Sequence, residues 1–288
     1  MNDQPAISIP QRDAVSISNP LSLAALKIFI SRKDSSGQIL RGGHASGFFW
    51  AISDEIYLIT NWHNVCAWDP IQNRALSERS FTPNCIELII ELGHDVGDGR
   101  INRDFRDAVI DLFDTDDKPK WLEHPTYGNR VDVVALKLGK VGDAKLSNQP
   151  LNAYSDFVDY EVAVGDDAFV VGYPLGLEGG PRLPIWKRAS IATEPHHDLE
   201  QLPKILIDPA TRQGMSGAPV IAVRRGLTQP RGTTGLGNSI LGTAETFLGI
   251  YSGRVGEDGL GAQLGIVWKA AAVDEVARRG VQGKTPFQ

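Results

Sequence analysis

The sequence predicts an all-β protein. Eleven short runs rich in β-branched and aromatic residues follow one another along the chain. The 30 glycines and 17 prolines supply the turns between them. A single convincing helical pattern stands near the carboxyl end. Many short strands with one terminal helix argue for β-barrels rather than a βαβ sheet, and no repeat period is present.

Taken in order, residues 1–22 are polar, carry Pro5, Pro10 and Pro20, and read as a flexible lead-in. Strands are then expected at 26–32 ("LKIFISR"), 46–52 ("SGFFWAI"), 55–60 ("EIYLIT") and 85–92 ("CIELIIEL"). The next are expected at 131–138 ("VDVVALKL"), 167–174 ("DAFVVGYP"), 185–193 ("IWKRASIAT") and 204–209 ("KILIDP"). The last are at 218–223 ("APVIAV"), 246–253 ("TFLGIYSG") and 262–269 ("AQLGIVWK"). Two stretches, 94–128 and 224–245, are charged or glycine- and threonine-rich and read as solvated loops. The helix is expected over 267–280, with Val267, Ala271 and Val273–Val276 on its apolar face and Gly280 as its stop.

Bulk properties exclude several classes. A chain of 288 residues with 42% hydrophobic and 22% charged composition holds one large β domain or two smaller lobes. Lys+Arg 29 against Asp+Glu 35 leaves a net charge of −6, so no footprint for nucleic acid exists. No apolar run approaches the ~18 residues that would span a bilayer. The amino terminus lacks a basic segment followed by an apolar one, which predicts a cytosolic protein. Cys66 and Cys85 form no C-x-x-C and no disulfide framework, and free thiols are expected.

Chemistry concentrates in two motifs. In "LITNWHNV", 58–65, strand formers deliver His63 to the point where the regular pattern stops. In "RQGMSGAPV", 212–220, glycines flank Ser216 and permit a tight turn whose backbone N–H groups converge. Chain order then discriminates. An α/β-hydrolase needs its histidine after its serine, but His197 is the last histidine here. A His…Asp…Ser order stays open, with Asp132 of "RVDVVALKL" as the acid between apolar neighbours. "HHDLE" at 196–200 lacks a helical pair of histidines, so no metal site is expected. His44, His94 and His124 read as surface or capping residues, and Trp50, Trp62 and Trp186 as packing.

"LITNWHNV", "VDVVALKL" and "QGMSGAPV" together resemble the His, Asp and Ser motifs of trypsin-like serine peptidases. The nearest resemblance is to the bacterial heat-stress, Deg/Htr-type branch, to which "SGFFW" and "VGYPLG" are also similar. The resemblance spans roughly 23–280 and implies two six-stranded antiparallel β-barrels of chymotrypsin-like type, about 23–142 and about 160–266, with a C-terminal α-helix. It implies a serine endopeptidase with Ser216 as nucleophile, His63 as base and Asp132 fixing the imidazole, while the N–H groups of Gly214 and Ser216 form the oxyanion hole. It places Ala210 at the base of the specificity pocket and Tyr251, Ser252, Gly253 and Arg254 along its wall. No acidic residue stands at 210, so a preference for Lys or Arg is not expected.

No cofactor or metal is implied. The expected partners are a protein or peptide substrate and a regulatory protein, with no nucleic acid and no membrane. Two departures stand out: Ala218 replaces a second glycine, and no peptide-binding domain is expected beyond the peptidase domain. Met215, before the serine, cannot accept an inserted amino-terminal ammonium, so activity is expected without amino-terminal processing. The alternatives are a protease-fold binding module with an unassembled site, and a small-substrate esterase or amidase.

Overall fold

The computed structural model describes residues 17–70, 74–76, 81–95, 101–139, 148–209, 213–255 and 264–286. Its strands form two large antiparallel sheets. The second is a closed six-stranded barrel in the order Asp167–Gly172, Ile185–Ile191, Lys204–Pro209, Gly265–Lys269, Ile240–Arg254, Pro219–Thr228. The first has eight strands, ordered Val281–Gln282, Trp121–Glu123, Val134–Gly139, Glu55–Thr60, Ile39–Ile52, Ala25–Lys33, Cys85–Asp95, Ile101–Asp111. The all-β, chymotrypsin-like class with a C-terminal helix is therefore as expected. The first sheet is larger than six strands because the polar stretch after 94 and the chain tail both add to it.

Alternation explains the continuous apolar runs. Phe48 and Ile59 pack in the cluster shared by both sheets, whereas their neighbours Phe49 and Leu58 pack inside the first. A strand buried on both faces needs hydrophobic residues at every position, as "GFFW" and "YLI" supply. The shared cluster joins Phe48 and Trp50 to Val171, Ile250, Trp268 and the helix residues Val273 and Val276. The two sheets are thus held together by Ile39–Ile52 and by Ile59 of the neighbouring strand, which leads toward His63.

The helix runs Ala270–Arg279, burying Ala272, Val273, Val276 and Ala277, and the Gly280 N–H closes it on Val276 O at 3.0 Å. Residues 267–269, expected in the helix, instead end the strand Gly265–Lys269, because Val267 pairs with Ile205 inside the second barrel. Two expected loops are partly strand. Ile101–Asp111 pairs with Cys85–Asp95 along its length, and Pro219–Thr228 pairs with Ile240–Arg254 out to Thr228 and Ile240. Both lie where one side meets solvent, so pairing rather than hydrophobicity fixes them.

Part of the lead-in is docked. Pro20–Leu23 forms a 3-10 turn with Leu21 and Leu23 buried, capped by Asn19. The first sixteen residues of the expected flexible segment lie outside the described residues. Cys66 and Cys85 are free.

Candidate active site

His63 sits on a five-residue helix, Trp62–Cys66, which follows the strand Glu55–Thr60 directly. A left-handed Ala67, φ 51°, ends the helix, so the imidazole stands at a fixed corner. Beneath it, the buried Glu123 Oε1 accepts from Trp62 Nε1 at 2.9 Å, Trp121 Nε1 at 3.1 Å and the Lys284 N–H at 2.7 Å. This one carboxylate ties the helix that carries His63 to the sheet and to the chain tail.

Asp132 lies between the fully buried Val131 and Val133, just before the strand Val134–Gly139. Burial of the carboxylate at 3% exposure is compensated by donors. Its Oδ1 accepts the His63 backbone N–H at 2.9 Å, and its Oδ2 accepts from His63 Nδ1 at 2.6 Å. The Ser252 hydroxyl donates to the same Oδ2. Asn61 Nδ2 holds the Asp132 carbonyl at 2.7 Å. Burial opposes a charge on His63, but the charge and hydrogen bond of Asp132, with help from Asp69, hold its pKa above the ordinary value.

Ser216 comes from the second barrel, on a turn that glycine makes possible. Gly214 and Gly217 have φ of 94° and 85°. A Cβ at Gly217 would stand 2.0 Å from the Ser46 carbonyl oxygen. The first sheet grips this turn through Ser46, whose N–H donates to Ser216 O at 2.8 Å and whose hydroxyl donates to Gly214 O at 2.9 Å. Met215 is fully buried in the second barrel's core. Ala218 fits: its methyl occupies the space that a side chain at Gly172 would need. Among the described residues, neither the Gly214 nor the Ser216 N–H donates a hydrogen bond, and Ser216 Oγ has no partner.

A cavity of about 400 Å³ brings these groups together. His63, Asp132, Gly214, Ser216, Ser252, Gly253 and Arg254 all line it, along with Ile30, Leu76, Phe81 and Gln213. One wall residue, Tyr251, departs from expectation. Tyr251 is 2% exposed and packs into the second barrel's core, contributing its backbone to the Ser216 turn rather than a side chain to the cavity. Ser252 turns its hydroxyl to Asp132. Ala210 lies outside the described residues. His44, read from sequence as a surface or capping residue, also lines the cavity, and its buried Nε2 has no hydrogen-bond partner. Burial, with the Lys27 ammonium nearby, lowers its pKa. Only tertiary contact reveals Glu123 and His44, since neither lies in a motif.

A histidine paired to a buried carboxylate and a serine on a glycine turn, from two β-sheets, line one cavity, an arrangement of the peptidase type. The chain belongs to the family of the trypsin-like peptidase domain, whose model matches residues 45–227. No curated protein matches the sequence. Among solved structures, the chain is similar to the Rv3671c protease from M. tuberculosis in its active form, with 16% identity over 99% of this chain and 98% of that one, at a TM-score of 0.42. The inactive form of Rv3671c protease matches at 17% identity over 88% and 87%, with a TM-score of 0.38. No helix among the described residues is long and apolar enough to cross a membrane.

Proposed function

We propose that the chain is a serine endopeptidase working through an acyl-enzyme, with Ser216, His63 and Asp132 as its triad. The observation that carries this reading is the two-point grip of Asp132 on His63 in the cavity that Ser216 also lines. A carboxylate accepting from Nδ1 leaves Nε2 unprotonated and able to take a proton. Ser216 Oγ then bonds to the scissile carbonyl carbon as its proton passes to His63 Nε2. The oxygen's developing charge is met by the Gly214 and Ser216 N–H groups, each worth ~3 kcal/mol of barrier. His63 returns the proton to the leaving amine, the C–N bond breaks, and water repeats the sequence on the ester. Ser252 supports the charge on Asp132 by donating to the same oxygen that faces His63.

Cytosolic location is part of the proposal, in keeping with two free cysteines. The test is labelling by a fluorophosphonate probe and turnover of a peptide library, with Ser216→Ala and His63→Ala as comparisons. Labelling and cleavage lost in both variants support the reading. Cleavage by Ser216→Ala at the wild-type rate overturns it, and labelling without peptide cleavage points to an esterase instead.

A further inference from the structure

The Gly214 N–H can serve an oxyanion only if the peptide between Gln213 and Gly214 faces one way. In a trans peptide the C=O and N–H point in opposite directions, so fixing one aims the other. The Gln213 carbonyl accepts the Leu175 N–H at 2.7 Å, which turns the Gly214 N–H away from Leu175. Leu175 therefore sets the peptide. Its own side chain does nothing to hold it there: it is 56% exposed, at a left-handed φ of 54°. Gly176 follows, also left-handed at 71°. Such a strap needs an external anchor.

The anchor comes from the other sheet. Lys27, on the strand Ala25–Lys33, donates from Nζ to the Gly176 carbonyl at 2.7 Å and pairs with Glu178 at 3.2 Å. The Tyr173 hydroxyl adds a longer bond to Ala25 O, at 3.3 Å. Under the strap, the His44 ring packs against both glycines. A Cβ at Gly214 would stand 2.7 Å from its Nε2, and one at Gly176 3.4 Å away. His44 offers that side a surface but no hydrogen bond. Among the described residues touching the strap, Lys27 is the one that joins a charge to a backbone carbonyl within one residue of Leu175.

We propose that Lys27 is a positioning residue that holds the oxyanion peptide of Gly214 in its working orientation through the strap Tyr173–Glu178. This rests on the serine-peptidase reading above. Lys27 does not line the active-site cavity, so its effect must travel through the backbone.

The experiment compares wild type with Lys27→Met, Lys27→Arg and Glu178→Gln, using a peptide substrate that wild type cleaves and Ser216→Ala does not. A peptide boronate reports the oxyanion site, and thermal unfolding reports the fold. Lys27→Met is expected to lower kcat about tenfold or more, toward the ~10²-fold of a lost oxyanion donor, with KM within about twofold. Boronate affinity should fall by the same factor, Lys27→Arg should restore most of both, and Glu178→Gln should show a smaller loss in the same direction. Wild-type kcat in Lys27→Met overturns the inference while leaving the peptidase reading intact. So does a change confined to KM, or a loss that tracks a lowered Tm and is not restored by Arg. If wild type neither labels nor cleaves, the peptidase reading falls and this inference falls with it.

Discussion

Replacing Asp132 by Asn tests the proposed base at its most constrained point. The carboxylate has two oxygens with different obligations. Oδ1 accepts from the His63 backbone N–H, a donor that cannot invert, so the carboxamide oxygen must occupy that position. The NH₂ group then falls where Oδ2 stood, 2.6 Å from His63 Nδ1. Ser252 can rotate its hydroxyl to accept from the amide, so nothing resists this orientation. Nδ1 must become an acceptor, the ring proton moves to Nε2, and Nε2 can no longer take the proton of Ser216. The loss expected from a wrong tautomer is ~10⁴ in kcat, about 5 kcal/mol of barrier.

The pH profile should also move. Activity requires neutral His63, so the acid limb of kcat/KM follows its pKa, which Asp132 holds above the ordinary value against the opposing effect of burial. With that charge gone, burial remains, and the limb shifts to lower pH. The assay is kcat/KM for a chromogenic peptide between about pH 4 and 9, with folding checked by circular dichroism. Turnover within tenfold of wild type, or an acid limb that stays in place, would refute the reasoning.

Three further outcomes follow from the packing. Gly214→Ala places a methyl 2.6 Å from the Tyr173 carbonyl oxygen at a φ of 94°, so the turn must reshape and kcat/KM should fall ~10²–10³-fold; wild-type turnover would show that the turn is not the oxyanion site. Glu123→Leu strips the acceptor from two buried indoles and should destabilise by roughly 3–5 kcal/mol in urea unfolding, with Glu123→Gln losing less; a loss below about 1 kcal/mol would contradict it. Removing residues 1–16 should leave turnover unchanged, because Met215 is buried among apolar side chains and offers no carboxylate to a new amino terminus; activity that depends on a particular cleavage would refute this.

The parts of this molecule that sequence reveals are those where local pattern and tertiary role coincide. Glu55–Thr60 is buried at its end and Pro219–Thr228 at its start, and His63 and Ser216 lie just beyond those buried ends. Ile101–Asp111 is hidden because it is the last strand of its sheet, and over 104–111 its side chains are exposed or half-buried. A charged strand like this forms by pairing with its neighbour, which no local pattern announces. Ser252 shows the same limit at the site. It was legible as a wall residue near the cavity, yet its hydroxyl serves Asp132, 120 positions away in sequence.

His63 and Asp132 belong to the first sheet and Ser216 to the second, so the site exists only while the two are docked. The docking strand Ile39–Ile52 does both jobs within five residues. Phe48 and Trp50 pack into the shared core, while Ser46 grips the serine turn by two hydrogen bonds. Phe48 packs edge-to-face and Trp50 at a tilt against Phe247 of the opposite barrel, with ring centroids 5.5 and 5.4 Å away. Aromatic contacts of this kind contribute beyond their buried area and fix relative orientation as well as separation. The alignment of His63 with Ser216 is therefore set by core packing. Lys27 and Ser46 both reach from the first sheet to carbonyls of the second, at Gly176 and Gly214. The turn is thus held from outside its own barrel, and an ammonium inserted beside Met215 would meet only apolar side chains there.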